Sequence, residues 1–378
     1  MTIALVIGSL GTGGAERQIV LLANALAGNN MKVCIISFFA GGYYENCISE
    51  RENLTRKILF SRRGRTFFFR VLQNLVIPLR LRTVLKQVRP SIVYSMLEFS
   101  NLYAWYATRG KLRRRLVWGY RSSQRRFGWK MGMADRLCIF LSPTVPLLVA
   151  NSRAGLSFAL HRGYRPKRTT VTWNGIDTDS FYFDRTGGEM FRREFSISES
   201  APLIAIIGSI SPMKDHSTFL LSVSKVLNSI PESMFVCVGG PHGELFRSLK
   251  RVTEKTGIKD CIIWTGVRTD LRSIYSAANV VVSSSAFGEG FSNVIGEAMA
   301  CETPCVVTNV GDSAWITGDT GRVVPPKNPE CLADAVIDVL LNQPARCSEC
   351  RDRIVHNFSV DSLTINTLTE LRSISPDL

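Results

Sequence analysis

Short apolar runs rich in β-branched residues alternate with segments of helical periodicity along this chain, and the alternation starts twice. Residues 2–8 form an apolar run that enters a glycine-rich turn, residues 15–27 place apolar side chains at helical spacing, and residues 32–38 read as the next strand. This is a β-α-β start, in which parallel strands require a crossover helix. Further strands are expected at 92–94, 116–118 and 147–150. After Asn174-Gly175-Ile176-Asp177 the pattern begins again, with strands at 203–207, 234–238, 262–265, 280–283 and 305–308 and a helix at 217–227. The fold class is therefore α/β, as two Rossmann-like parallel-sheet domains, and 378 residues exceed what one hydrophobic core usually organises. Ligands of open parallel sheets bind beyond the carboxyl ends of the strands, so two facing sheets are expected to share a cleft, with the hinge at 174–179.

The segment 289–297, EGFSNVIGE, carries the best clue to chemistry. A polar, glycine-bearing turn follows the strand at 280–283, and a helix is expected to start near Asn293, a favoured N-cap residue. Glu289 then lies in the loop and Glu297 about one turn into the helix, so both carboxylates can face one crevice. An ionised carboxylate accepts hydrogen bonds from adjacent sugar or ribose hydroxyls, and the free amides of a first helical turn attract phosphate. A nucleotide sugar suits that geometry. Two other readings stay open: acidic residues that only complement the helix dipole, worth about 0.3–1 kcal/mol, and a glycosidase pair, which needs carboxylates about 5–10 Å apart across one bond.

Charge is unevenly placed. Residues 1–174 hold 28 Lys+Arg against 6 Asp+Glu, a balance of +22, and residues 175–378 hold 18 against 25, a balance of −7, which together make the net +15. Basic residues cluster at Arg62, Arg63 and Arg65, at 113–115, and at Arg125 and Arg126. Phe67, Phe68, Phe69, Leu72, Leu75 and Val76 lie beside the first group. Such a mixture suits an anionic membrane surface, where each Lys or Arg contributes about 1 kcal/mol. A merely solvated basic face is the plain alternative, and no nucleic-acid recognition motif is present. The most apolar stretch, 138–150, is interrupted by Pro143 and Pro146 and falls short of the roughly 20 residues a transmembrane helix needs. An opening on IALVIG, without a basic leader, sets the expectation of a cytoplasmic protein, peripherally associated with the inner leaflet of the cell membrane. The ten cysteines are then expected reduced; Cys347 and Cys350 have metal or redox spacing but lack a second pair.

The segment 289–311, EGFSNVIGEAMACETPCVVTNVG, taken with GTGGAERQ near the amino terminus, NGID at 174–177, SPMKDH at 211–216, GVRTD at 266–270 and GDTGRVVPP at 318–326, resembles the family 4 glycosyltransferases. These are retaining enzymes of the GT-B fold, and the resemblance covers nearly the whole chain. It implies an acceptor domain over 1–173, a donor domain over 174–356, and a helix over 357–378 that crosses back to the first domain. Glu289 would hold the hydroxyls of the transferred sugar and Glu297 those of the ribose. Amides of Phe291, Ser292 and Asn293 would lie nearby, and backbone near Gly266 to Arg268 would meet the base. Gly13 and Gly14 would approach the donor phosphates and the acceptor. The glycines do not complete a G-x-G-x-x-G fingerprint, because Glu16 stands where the last glycine would be. The implied donor is UDP-linked and the implied acceptor a glycan or lipid-linked glycan of polysaccharide or lipopolysaccharide synthesis. No cofactor, metal or nucleic acid is expected, and Asp177 and Asp179 read as turn formers rather than metal ligands.

Lys214 follows a strand and a short turn, where an ammonium can stabilise the charge that grows on a departing diphosphate. Relatives usually carry an arginine five residues earlier, where this chain has Ser209. Arg121, in VWGYRSS, is the candidate substitute or an acceptor-side residue. Glu302 replaces the glycine that usually ends the helix after 297, with an expected effect on stability rather than chemistry. Two rivals remain: another nucleotide-sugar enzyme of this fold, such as an epimerase, and a non-catalytic polyanion-binding protein whose donor site has decayed.

Overall fold

The computed structural model describes residues 1–64, 66–121, 129–240, 243–344 and 346–376, without the side chains of residues 129–131. Arg65, Arg125 and Arg126 lie outside the described residues. The chain divides into two compact units, Met1–Gly175 with Val360–Leu378, and Ile176–Ser359.

The first unit is built on a seven-stranded parallel sheet of β1 (Thr2–Ile7), β2 (Lys32–Phe39), β3 (Leu54–Phe60), β4 (Ile92–Met96), β5 (Leu116–Tyr120), β6 (Leu147–Ala150) and β7 (Arg168–Val171), in the order β3-β2-β1-β4-β5-β6-β7. Its first helices are α1 (Gly14–Gly28), α2 (Phe67–Val88), α3 (Glu98–Ala107), α4 (Trp129–Leu141) and α5 (Arg153–Arg162). Successive strand residues face opposite sides of a sheet. Accordingly Ala4 and Val6 of β1 join a core with Leu81 of α2, Ala104 of α3 and Cys138 of α4, while Ile3, Leu5 and Ile7 pack with Ile19, Ala23 and Leu26 of α1. Helices on both faces leave the central strands no polar side, which is why they read as unbroken apolar runs.

The second unit repeats the plan with six strands, β8 (Leu203–Ile207), β9 (Met234–Val238), β10 (Ile262–Gly266), β11 (Val280–Ser283), β12 (Cys305–Thr308) and β13 (Arg322–Val324), in the order β10-β9-β8-β11-β12-β13. Its helices are α6 (Arg185–Glu194), α7 (His216–Ser229), α8 (Gly243–Lys255), α9 (Leu271–Ala277), α10 (Asn293–Ala300), α11 (Ser313–Thr317), α12 (Pro329–Asn342) and α13 (Ser348–Phe358). The last helix, α14 (Val360–Arg372), belongs to the first unit, where Leu363 and Leu371 enter the α1-side core.

Two local expectations need correction. Ser292, not Asn293, is the N-cap of α10, and its side chain makes no capping bond. The strands β3, β7 and β13 had no counterpart in the sequence reading; all three are sheet edges, and β3 and β7 carry polar or charged residues on partly exposed faces.

Glu302 has φ of +61°, the left-handed conformation a glycine would adopt without strain. It lies just after the last turn of α10, where Thr303 N–H donates to Ala298 O at 3.0 Å and Glu302 N–H to Met299 O at 2.9 Å. A left-handed L-residue costs roughly 1–2 kcal/mol, partly offset because glycine has more conformational freedom to lose on folding. Glu302→Gly is therefore expected to raise unfolding stability by about 0.5–1 kcal/mol. Denaturant titration checks this, and a lowered midpoint at unchanged slope would refute it.

Candidate functional site

In the second sheet the strand order reverses between β8 and β11. The loops leaving these two strands diverge, and a crevice at such a switch point is where open α/β sheets take ligands. Lys214 is on the loop after β8 and Glu289 on the loop after β11. Both expected side chains are therefore brought together by topology.

Close backbone packing holds the two loops. At the end of β8, Gly208 has φ of +154°, and a Cβ there would stand 3.3 Å from Lys214 Cε, so the lysine stem runs directly over it. A Cβ on Gly239 would lie 2.0 Å from the Gly208 carbonyl oxygen, so the neighbouring loop approaches only because residue 239 is glycine. Asp215, at φ +46°, caps α7 by accepting from Thr218 N–H at 3.2 Å and Thr218 Oγ1 at 2.7 Å. The second loop is tied to the first: Ser284 Oγ donates to the carbonyls of Lys214 and Asp215 at 3.0 Å each, and Ala286 N–H donates to Met213 O at 2.8 Å.

The result is a charged pair. Lys214 Nζ donates to Glu289 Oε1 at 2.5 Å, with side chains 16% and 8% exposed. Ser285 Oγ donates to the same oxygen at 2.7 Å. Glu297, in the first turns of α10, is buried and accepts at Oε2 from Tyr275 Oη at 2.9 Å. His216, beside Lys214, is buried, and neither ring nitrogen has a hydrogen-bond partner among the described residues. Burial, and behind it the Lys214 ammonium, push its pKa down to about 4, so the ring is neutral at pH 7 and adds no second cation.

The remaining expected residues have these settings. Phe291 turns its ring inward against Phe358, at 5.4 Å between centroids, which leaves its backbone rather than its side chain for a ligand. Ser292 Oγ is buried without a hydrogen-bond partner among the described residues, and Asn293 opens α10. The Arg268 guanidinium is gripped by Glu194, at 2.6 and 2.9 Å, and by Asp270, at 2.8 and 2.7 Å. Its side chain thus joins α6 to the loop before α9, and only its backbone remains uncommitted by these bonds. In the first unit, Gly13 is the N-cap of α1, and the Glu16 carboxylate sits 2.2 Å from where a Cβ on Gly13 would be. Gly14 is the first residue of that helix. Arg121, just beyond β5, donates to Asn174 Oδ1 at 2.8 Å and Tyr94 Oη at 3.3 Å. Asp177 accepts from Asp179 N–H, Ser180 N–H and Ser180 Oγ at 3.2, 3.0 and 2.7 Å, a local turn. Tyr275 and Ser285 were missed in the sequence reading, since neither stands in a motif and their link to the carboxylates is tertiary.

One face of the first unit is unusual. Phe67, Phe68, Phe69, Leu72, Leu75 and Leu79 of α2 are exposed, Phe67 and Phe68 by 74% and 72%, and Arg62, Arg63 and Arg70 are exposed beside them. Val76 is half-buried. Among the described residues no helix is long and apolar enough to cross a membrane.

Comparison with known proteins defines the class. The profile described as Glycosyltransferase Family 4 matches residues 12–180, and that described as Glycosyl transferases group 1 matches 201–342. Among solved structures, Anabaena Alr3699/HepE in complex with UDP and glucose superposes with a TM-score of 0.80 at 18% identity, covering 99% of this chain and 100% of that one. Sucrose-phosphate synthase from Thermosynechococcus elongatus gives 0.80 at 17%, covering 100% of both. The fold is that of the GT-B glycosyltransferases, two Rossmann-like parallel-sheet domains. The chain belongs to the family 4 glycosyltransferases.

Three curated relatives are instructive. A UDP-Gal:alpha-D-GlcNAc-diphosphoundecaprenol alpha-1,3-galactosyltransferase of Escherichia coli is 26% identical over 52% of this chain and 51% of its own. A D-inositol 3-phosphate glycosyltransferase of Mycobacteroides abscessus is 28% identical over 54% and 46%. The lipopolysaccharide core biosynthesis mannosyltransferase LpsB of Rhizobium meliloti is 26% identical over 66% and 70%. The chain thus spans about half the length of the first two.

The burial of the Lys214–Glu289 pair makes a stability test of the geometry. Removing one member leaves the other charge buried and unpaired, which costs about 3–5 kcal/mol in fully buried cases and less here, where Lys214 keeps some solvent. In a double-mutant cycle of Lys214→Met and Glu289→Gln, the coupling energy is expected to exceed about 1 kcal/mol. Additive losses in chemical denaturation would show that the two side chains do not interact.

Proposed function

We propose that the chain transfers a hexose, with retention of anomeric configuration and without a metal, from a nucleoside diphosphate sugar to a glycan or lipid-linked glycan acceptor. The observation that carries this reading is the meeting of Lys214, Glu289 and the start of α10 at the switch point of the second sheet. One group there is cationic, one accepts hydroxyl hydrogens, and the first-turn amides of α10 have no intrahelical acceptor.

In the proposed mechanism the α10 amides and Lys214 Nζ receive the diphosphate, and the ammonium stabilises the charge that develops on its leaving oxygen. Glu289 takes hydroxyls of the transferred sugar, oriented by the bond from Ser285 Oγ. Glu297 takes the ribose hydroxyls, and Tyr275 fixes its carboxylate. The departing phosphate oxygen assists the incoming hydroxyl on the same face of the sugar, which retains configuration without a protein nucleophile. UDP is the expected nucleotide, a choice supported by the UDP bound in the Anabaena protein and the UDP-Gal named for the Escherichia coli relative. Gly13, Gly14 and Arg121, at the carboxyl edge of the first sheet, are assigned to the acceptor side. A panel of UDP- and GDP-sugars in excess chelator tests the donor reading by thermal shift. At 100-fold saturation one donor should stabilise the protein by about 2.7 kcal/mol, and Glu289→Ala should lose most of the shift. No stabilisation by any donor would end this reading.

The acceptor side is proposed to work at an anionic membrane surface on the cytoplasmic leaflet. Exposed phenylalanines and leucines of α2 would enter the boundary between headgroups and acyl chains, while Arg62, Arg63 and Arg70 meet anionic headgroups. The protein is expected to sediment with phosphatidylglycerol-containing vesicles and not with pure phosphatidylcholine. Phe67→Ser/Phe68→Ser should release it without altering the donor-induced thermal shift. Equal sedimentation of native and variant protein would overturn the assignment of this face.

A further inference from the structure

Cys347 and Cys350 acquire a specific geometry in the fold. Cys347 is the N-cap of the 11-residue helix α13, and its Sγ accepts from Cys350 N–H at 3.3 Å. Cys350 stands one helical turn on, with its own thiol donating to Thr320 O at 3.5 Å. The two side chains therefore share the first turn of α13, within reach of one another. Their environments differ. Cys347 is 7% exposed and contacts the Glu349 carboxylate at 3.6 Å, whereas Cys350 is fully enclosed, and burial pushes its thiol well above the usual range.

We propose that Cys347 and Cys350 are a dithiol that closes to an intramolecular disulfide, with Cys347 as the attacking sulfur and Cys350 as the resolving one. A low-molecular-weight disulfide such as glutathione disulfide is the oxidant. The Cys347 thiolate attacks one of its sulfurs, forming a mixed disulfide and expelling one thiolate, which takes up the proton Cys347 released. Cys350 then loses its proton, attacks Cys347 Sγ, and expels the second glutathione, which leaves protonated. Two electrons and two protons pass from the protein to the oxidant, and one S–S bond replaces another.

The position gives the bond a consequence. The Cys347 N–H donates to Glu302 O at 2.9 Å, so the start of α13 is anchored to the left-handed residue that ends α10. At its other end α13 places Phe358 against Phe291, in the loop that carries Glu289. Closing the disulfide draws the cap sulfur from the Cys350 amide toward the Cys350 sulfur, and the strain falls on the turn tied to α10. If the donor reading holds, the pair sits behind the donor helix; the disulfide itself does not depend on that reading.

The test uses the full chain, titrated with glutathione buffers, alkylated and digested with trypsin, which leaves both cysteines in the single peptide 347–351. That peptide is expected to lose two hydrogens at a glutathione disulfide level about tenfold below that needed to modify any other cysteine. Cys350→Ser should trap one glutathione on Cys347. Cys347→Ser, whose hydroxyl is a good N-cap, should fold normally and leave Cys350 unmodified. Peptide 347–351 recovered with both thiols alkylated across the titration, or glutathione trapped on Cys350 in the Cys347→Ser protein, would overturn the proposal.

Discussion

The reversal of strand order between β8 and β11 is the constraint from which the site follows. Parallel neighbours can be joined only by crossovers, and crossovers on one side of a sheet keep one sense. When the chain moves from the β10-β9-β8 half to the β11-β12-β13 half, the loops at the carboxyl edge must part. No side chain has to open the crevice; it is what remains when α7 and α10 go separate ways. The first sheet has the same reversal between β1 and β4, with Gly13 and Gly14 after β1 at the matching edge.

Within that crevice, the ammonium and its carboxylate neutralise each other. Lys214 and Glu289 lie 2.5 Å apart, and the nearby imidazole of His216 is neutral because desolvation outweighs any gain from protonation. Two opposite charges with little solvent around them are tolerable only as a hydrogen-bonded pair, which accounts for the dense supports of Ser284, Ser285 and Gly208. The Ser284 bonds hold together the two loops that carry the pair.

What could be read from the chain follows burial. The central strands were legible, since burial on both faces leaves only apolar residues at 203–207 or 280–283, and their positions fell within a residue or two. Of the edge strands only β10 was; β3, β7 and β13 were not. β3 reads LTRKILF and β7 RTTV, because one side of each meets solvent, and their pairing is decided by the neighbouring strand rather than by their own pattern. Glu289, Glu297 and Lys214 could be named from motif spacing. The residues that orient them could not, since Tyr275 reaches Glu297 from 22 positions away and Ser285 is one serine in a run of three. Arg268 was read for its backbone, and the fold commits its side chain to Glu194 and Asp270.

The resident ion pair also bears on which ligands the proposed donor site can accept. A nucleoside diphosphate alone would draw Lys214 Nζ toward its phosphates and leave the Glu289 carboxylate with the Ser285 hydroxyl and a nearby anion. In a site of low dielectric that is unfavourable, because a buried carboxylate must keep its donors. A sugar attached to the diphosphate changes the balance: its hydroxyls donate to Glu289 as the ammonium turns to the phosphate. The exchange conserves hydrogen bonds at the carboxylate and places the cation where negative charge grows. Ser209 has no charge to offer, so in the proposed site that role would fall to Lys214 and the α10 amides within the second unit. On this argument the whole donor, rather than either of its halves, is the species that fits the pair.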